Sequence, residues 1–161
     1  MHSIYIPTNS ADDWRNLLAD PKKHWRKGFS ARTLAYSWQS SNGFPDEITK
    51  LFSSSSIAEL TKPSLILAIP EHKVYLPPLT GHPSQNDLFV IGKTVDGNLI
   101  SITVEGKVSE SFDKTVGEWL KPVSPGKTER LQFLQTKLGL SKSVSSEIRY
   151  QLLQSRKRLV W

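Results

Sequence analysis

The stretch from Asp87 to Val108, DLFVIGKTVDGNLISITVEGKV, decides the fold of this chain. It contains two runs rich in β-branched residues, at positions 87–94 and 98–108, with Val95-Asp96-Gly97 between them. Two such runs around a short loop that contains glycine are typical of a β-hairpin. The stretch therefore predicts two neighbouring antiparallel strands.

The length of the loop decides which side chains of the hairpin face each other. A two-residue loop would place Asp87 opposite Gly106. A three-residue loop would pair Thr94 with Asn98 and put Gly97 in the left-handed conformation that this loop type prefers. A shift by one residue moves every side chain to the other face. We predict the three-residue loop because it gathers the apolar residues on one face: Leu88, Val90, Ile100, Ile102 and Val104.

The opposite face of the predicted hairpin carries the chemistry. Asp87 lies across from Glu105, with Cβ atoms about 5 Å apart, and Lys107 points the same way. Two facing carboxylates repel each other unless a cation joins them, and hard oxygen ligands suit Mg²⁺ or Mn²⁺. The Gly106 carbonyl is a further ligand, and Lys107 would position a metal-bound water. The sequence thus predicts a metal-dependent phosphodiesterase site with Asp87, Glu105 and Lys107 as catalytic residues, and a surface salt bridge is the competing interpretation.

Helices are predicted on both sides of this hairpin. They cover residues 10–19, 30–40 and a short segment that begins at Pro45, then 112–120, 126–138 and 144–158. Ser10 is the predicted N-cap of the first helix and Gly139 the residue that closes the helix at 126–138. Ile48, Leu51 and Phe52 are expected to face inward. A buried strand is predicted at 64–69, with 73–76 extending or pairing with it.

This order of elements predicts an α/β (α+β) fold with a small central mixed β-sheet flanked by helices. The 161 residues suit a single domain over 1–161. We divide it into an N-terminal helical part at 1–55, the sheet with the metal site at 63–108, and C-terminal helices at 112–158.

The chain is basic, with 21 Lys and Arg against 15 Asp and Glu and a formal net charge of +6. Such a balance favours a polyanionic partner such as nucleic acid. The charges cluster in two segments, which are either phosphate-binding surfaces or solvated faces. The residues predicted to bind nucleic acid are Lys22, Lys23, Trp25, Arg26, Lys27, Arg149 and Arg156.

Composition also excludes several classes of protein. Cysteine is absent, which excludes a disulfide framework and zinc-finger ligation and fits a reducing cytoplasm. No signal peptide is recognised at the N-terminus, and the longest apolar run, at 65–69, is too short to span a bilayer. We expect a soluble cytoplasmic protein without a membrane partner.

Pro83-Ser84-Gln85-Asn86-Asp87, followed by Ile102-Thr103-Val104-Glu105-Gly106-Lys107, resembles the PD-(D/E)xK nuclease superfamily. The resemblance implies a restriction-endonuclease-like core, in which this Asp and E-x-K bind Mg²⁺ and cut phosphodiester bonds. It also implies an acidic residue from the first core helix, a position that Glu47 resembles, and Glu71 lies where it could reach the metal. The wider sequence, from Asp13-Trp14-Arg15 to Leu152-Leu153, resembles an uncharacterised bacterial domain family.

Some features of the superfamily are missing from this sequence. The proline lies four residues before Asp87, the exonuclease helix motif is absent, and the strand that the superfamily has after the C-terminal helices is not predicted in this sequence. The leading hypothesis is a Mg²⁺-dependent nuclease that acts on DNA rather than RNA. The alternative is a catalytically inactive nuclease-like fold that binds nucleic acid or protein, and a small-molecule phosphoesterase is a third hypothesis. A homodimer is compatible with all three.

Overall fold

The computed structural model describes residues 8–79, 83–141 and 143–155. Three α-helices come first, α1 (Pro21–His24), α2 (Ser30–Gln39) and α3 (Asp46–Ser54). Three strands follow, β1 (Ser64–Val74), β2 (Ser84–Lys93) and β3 (Leu99–Val104), and then α4 (Val116–Leu120), α5 (Pro125–Lys137) and α6 (Tyr150–Ser155). Short 3₁₀ helices lie at Ala11–Leu17 and Ala58–Leu60. The predicted α+β class is confirmed, with an antiparallel instead of a mixed sheet.

The first predicted helix is present, but it is a 3₁₀ helix. The Asp13 carboxylate accepts hydrogen bonds from the N–H groups of Asn9 and Ser10, at 2.7 and 2.9 Å, which satisfies donors at the helix start. Trp14 is buried, and its indole N–H donates to the Gln39 side chain at 2.8 Å. This polar contact ties the 3₁₀ helix to the end of α2.

The sheet has the order β1-β2-β3, and the register of its hairpin is the one predicted from the three-residue loop. Pairs run from Lys93 with Leu99 to Leu88 with Val104. At the turn, the N–H of Thr94 donates to the Asn98 carbonyl at 2.8 Å. Gly97 has a φ of 87°, the left-handed conformation that this loop requires.

Strand β3 ends earlier than the sequence predicts. The alternation of side chains suggested a strand to Val108, but the ladder stops at Val104. Glu105, Gly106 and Lys107 therefore follow the strand outside its ladder, and other contacts hold them. The register of the hairpin predicts which face each of these residues points to. The backbone pairing of the two strands, however, ends before them.

Two compact units divide the described residues. The first unit comprises the chain up to His72 together with Asp87–Glu110. Its core combines Trp14, Ala35 and Trp38 with three sheet residues, Ala68, Leu88 and Val90. Ile48 packs against this core and Phe52 makes an edge contact with Phe44, as expected for inward residues. Leu51 is 63% exposed, so its predicted inward position is wrong, because α3 turns a different face to the core.

The second unit comprises Lys73–Asn86 and the described residues from Ser111 onward. Its core contains Leu76, Val116, Leu134, Tyr150 and Leu153. The Trp119 and Tyr150 rings stack with centroids 3.7 Å apart. Gly139, with a φ of 64°, follows α5 as predicted. The prediction of a single domain over the whole chain stays a prediction.

Within the described residues, no helix is long and apolar enough to cross a membrane.

Candidate functional site

The site lies at the open end of the β2–β3 hairpin, opposite the Gly97 turn. The ladder ends with Leu88 opposite Val104, and the next facing positions are Asp87 and Glu105. The N–H of Gly106 donates to Oδ2 of Asp87 at 2.7 Å. The predicted convergence of Asp87 with the Glu105–Lys107 segment is therefore present, and one short hydrogen bond joins the two.

Glu105 and Lys107 form an ion pair with each other. Nζ of Lys107 lies 2.7 Å from Oε1 of Glu105. The Glu105 side chain is 14% exposed and that of Lys107 21%, so the pair is largely shielded from water. Shielding strengthens the attraction between the two charges and also raises the cost of separating them. The contact brings one carboxylate and one ammonium together beside Asp87.

Asp87 is half-buried, and its environment favours the neutral carboxyl. Burial raises its pKa above the ordinary value of 3.8, and outweighs the opposing effects of the Gly106 N–H and the Lys107 ammonium. The negative charge of Glu110 raises the pKa further, whereas His24 lowers it. A carboxylate in this setting gains stability from any cation that binds beside it.

Glu110 belongs to the site, although sequence reasoning did not find it. Its Oε1 accepts hydrogen bonds from the N–H and the hydroxyl of Ser30, each at 2.7 Å, and its Oε2 accepts from the N–H of Val108 at 3.1 Å. Ser30 begins α2, so the carboxylate lies at the positive end of that helix. Burial alone would raise the pKa of Glu110, but these hydrogen bonds lower it from 4.5 to about 2.

The segment that carries Glu105 and Lys107 is thus anchored at two points. Asp87 holds the N–H of Gly106, and Glu110 links Val108 to Ser30. A Cβ atom at Gly106 would lie 3.1 Å from the Cβ of Ser30, which is tighter than nine in ten real Cβ contacts, so the Ser30 side chain would have to shift. The absence of a side chain at Gly106 therefore lets the segment approach the start of α2. The Glu110 contact spans 80 positions, so no local signal in the sequence could reveal it.

Glu71, predicted as an additional acidic residue, occupies a strained position in β1. Its φ is 54°, a left-handed conformation that is uncommon for a residue other than glycine. Ala68 packs in the core with Leu88, whereas His72 stacks on Phe89, which points to the other face of β2. Ala68 and His72 are four residues apart, so in a regular strand their side chains would point to the same face. They point to opposite faces, and the left-handed conformation of Glu71 between them accounts for the change.

The reversal at Glu71 places His72 on the face that carries the site. The His72 and Phe89 rings are 4.9 Å apart at 28°, and Phe89 lies two residues from Asp87 on the same face.

Glu47, the second additional acidic candidate, is exposed in the first turn of α3. It lines a groove of about 360 Å³ that Gly106 and Lys107 also line. The structure therefore brings Glu47 to the neighbourhood of the E-x-K segment, on the side where α2 and α3 pack.

The oxygen atoms at this end of the hairpin suit a hard cation. Asp87 and Glu105 supply carboxylates, and the Gly106 carbonyl supplies a neutral oxygen. Mg²⁺ commonly binds one or two carboxylates and keeps several waters. The binding of Mg²⁺ by these oxygen atoms stays a prediction. Within 8–79, 83–141 and 143–155, however, no group of three or more His, Cys, Asp or Glu residues is arranged to hold a metal ion.

The first predicted basic cluster surrounds α1 in the first unit. Lys22, Lys23, Arg26 and Lys27 are exposed, as a phosphate-binding surface requires. Trp25 differs from them because it is half-buried and packs against the core of the unit. Only the part of the Trp25 ring that does not contact the core is accessible for the predicted stacking on a base.

Arg149, the described residue of the second predicted basic cluster, lies in the other unit. Arg149 donates a hydrogen bond to the Asp113 carbonyl at 3.1 Å and lies 4.0 Å from a Glu118 carboxylate oxygen. Its guanidinium thus has contacts inside the unit. Arg156 lies outside the described residues.

The comparisons with known proteins identify a family. Residues 7–156 match the family model DUF6946, described as a domain of unknown function, and the chain belongs to this family. No curated protein and no solved structure matches the chain. The expectation that the wider sequence belongs to an uncharacterised domain family is therefore confirmed. The resemblance to PD-(D/E)xK nucleases stays a prediction.

Proposed function

We propose that this protein is a metal-dependent nuclease that hydrolyses phosphodiester bonds of nucleic acid, DNA in preference to RNA. One observation carries the proposal. The three-residue turn sets a register in which Asp87 faces the Glu105–Lys107 segment, and the Gly106 N–H binds the Asp87 carboxylate. An Asp and an E-x-K at one end of a hairpin are the arrangement that the PD-(D/E)xK resemblance implies.

Each of the three residues has a distinct role in the proposal. Asp87 and Glu105 would hold Mg²⁺ or Mn²⁺, with the Gly106 carbonyl as a further ligand. The bound cation would polarise the scissile phosphate and make a bound water more acidic. Lys107 would balance the negative charge of the phosphate and orient the attacking water. Its ammonium is 2.7 Å from Glu105, so it is already held beside a proposed ligand.

The electrostatics of Asp87 support cation binding at this position. Burial raises the pKa of Asp87, which means that the charged form is poorly compensated by the protein alone. Carboxyl groups whose pKa burial and charge partners shift are common at functional sites. A divalent cation would supply the missing compensation and favour the charged carboxylate.

The exposed cations around α1 support nucleic acid as the substrate class. Lys22, Lys23, Arg26 and Lys27 belong to the same unit as the site. Phosphate contacts of this kind provide most of the affinity of sequence-independent binding. A polyanionic substrate is therefore favoured over a small phosphoester.

A cleavage assay with matched variants tests the proposal. Labelled single-stranded and duplex DNA would be incubated with the wild type and with Asp87→Asn, each with Mg²⁺, Mn²⁺ or EDTA. We expect metal-dependent cleavage by the wild type and a loss of about a hundredfold or more in the variant, because disturbing even an outer-shell group at a metal site costs 10–100-fold.

Asp96→Asn is the matched control, since Asp96 is exposed at the opposite end of the hairpin. It makes the same chemical change and should leave cleavage at the wild-type rate. Equal cleavage by the wild type and Asp87→Asn, or none by either with any metal, would end the proposal.

The alternative function is a nuclease-like fold that binds nucleic acid or protein without catalysis. Two observations favour it: Glu105 is already paired with Lys107, and the described residues contain no set of three acidic or imidazole ligands. It predicts salt-sensitive DNA binding without metal dependence. Calorimetry would decide, because Mn²⁺ binding that Glu105→Ala removes is expected only for the metal site.

A further inference from the structure

A groove adjoins the candidate site on the side of α2 and α3. It has a volume of about 360 Å³, and its lining includes the apolar side chains of Leu34, Ile48 and Val104. Gly106 and Lys107 also line it, so the groove and the candidate site share two residues. A ligand with a phosphate at Lys107 would therefore have an adjacent apolar space for the group that the phosphate carries. We call this space the apolar groove.

A second depression also lies beside α2, and we call it the basic depression. Lys27, Gly28, Arg32, Thr33 and Tyr36 line it, and its volume is also about 360 Å³. The Arg32 guanidinium carbon is 5.3 Å from the centre of the Tyr36 ring, and the Tyr36 hydroxyl donates to Asp12 at 3.0 Å. Tyr36 is 45% exposed, so it still offers surface to a ligand, and its hydrogen bond to Asp12 holds the side chain in place.

Thr33 connects the two spaces, because it lines both of them. It is exposed on α2, and its hydroxyl donates to the Phe29 carbonyl at 3.0 Å. The surface therefore continues from the cations of the basic depression, past Thr33, to Lys107. All of these residues belong to the first unit.

We infer that this surface binds a single strand of nucleic acid across α2, an inference that rests on the proposed function for the position of the scissile phosphate. Proteins that bind single strands combine a positive groove for the backbone with aromatic rings on which bases stack. Lys27 and Arg32 supply the charge, Tyr36 supplies the ring, and the apolar groove has the size of a small-ligand pocket that accepts one nucleoside. The bases of a duplex are stacked and paired, and cannot enter either space.

Binding without catalysis tests the inference. Fluorescence anisotropy in EDTA would compare a labelled ten-nucleotide thymidine strand with its duplex, for the wild type and for Thr33→Trp. We expect the wild type to bind the single strand about tenfold or more tightly than the duplex. The indole in Thr33→Trp would fill the connection between the two spaces, and should weaken single-strand binding about tenfold.

Thr49→Trp is the matched control, since Thr49 is an exposed helical threonine of α3 that lines neither space. It should bind like the wild type. For the charges, Lys27→Ala should lower the slope of log affinity against log salt by about 0.7, the value for one phosphate contact on a single strand. Lys50→Ala removes an equal charge from α3 and should leave the slope unchanged.

The outcomes separate this inference from the proposed function. Single-strand binding that Thr33→Trp leaves within twofold of wild type, or equal binding of the duplex, overturns the inference even where Asp87 proves essential for cleavage. If no metal supports cleavage but Thr33→Trp still weakens single-strand binding about tenfold, the nuclease proposal fails and the binding surface stands. Absence of binding to either nucleic acid overturns the inference.

Discussion

The two ends of the β2–β3 hairpin are held by different kinds of contact. At the turn end, Thr94 and Asn98 bond to each other, and the left-handed Gly97 completes a loop that needs no other part of the chain. At the open end, Gly106 bonds to Asp87 and Glu110 reaches Ser30, across 19 and 80 positions respectively. The turn end is locally determined and sets the register, whereas the open end depends on the packing of α2 and carries the candidate site.

Gly97→Ala should produce the largest effect on stability, at the turn end. A left-handed conformation costs a residue with a side chain about 1–2 kcal/mol. Only the end of the Lys93 side chain, 3.7 Å away, lies near the new Cβ, so the cost comes from the backbone and not from a clash. Urea denaturation would measure the lower free energy of unfolding. Gly97→Asn should recover part of the lost free energy of unfolding, because asparagine tolerates this conformation. If Gly97→Ala leaves the free energy of unfolding unchanged, the turn does not determine the register.

Glu110→Ala should have a smaller effect on stability, at the open end. The low pKa of Glu110, about 2 against an ordinary 4.5, means that its charged form stabilises the folded protein at neutral pH. Because the side chain is partly exposed, solvent screening leaves about 1 kcal/mol of this contribution, or a Tm lower by about 2–4 °C. The contribution is present above pH 4.5 and is lost as the pH falls towards 2.

Thermal unfolding of Glu110→Ala at pH 7 and at pH 2 would check that sign, since the variant and the wild type should converge at low pH. Glu59→Ala is the control, because Glu59 is exposed in a 3₁₀ helix. If Glu110 positions the E-x-K segment, the variant should also lose metal-dependent cleavage at temperatures where it is fully folded. Full activity there would show that the Ser30 contact has only a structural role.

Asp87→Asn should have the smallest effect on stability, with the opposite sign. Burial raises the pKa of Asp87, so its contribution to stability is present below the ordinary pKa of 3.8 and is lost as the pH rises through the folded value. Asparagine is neutral and still accepts the Gly106 hydrogen bond. In EDTA the variant should therefore melt slightly above the wild type at pH 7 and equally at pH 3.

Added Mg²⁺ sharpens this last comparison. A cation that binds the folded state stabilises it, so Mg²⁺ should raise the Tm of the wild type and not that of Asp87→Asn. Calorimetry of unfolding with and without the metal would measure the difference. An equal rise in both proteins would place the cation elsewhere.

Features that arise from contacts between near neighbours in the chain could be predicted from the sequence. The glycine loop and the alternation of apolar residues predicted the hairpin register, and therefore that Asp87 faces Glu105. The capping contact of Asp13 with Ser10 and the helix end at Gly139 were equally accessible, because each involves residues within a few positions. Such signals need no knowledge of the rest of the fold.

The remaining features could not be predicted from the sequence, because the residues that produce them are distant in the chain. Three such features depend on where α2 and α3 pack. They are the end of β3 at Val104, the hydrogen bond from Ser30 to Glu110, and the exposure of Leu51. The change of face in β1 at Glu71 could not be predicted either. The alternation of side chains along β1 would put Ala68 and His72 on the same face, whereas in the structure they lie on opposite faces. The sequence thus placed the three site residues on one face, and long-range packing decided how the segment that carries two of them is held.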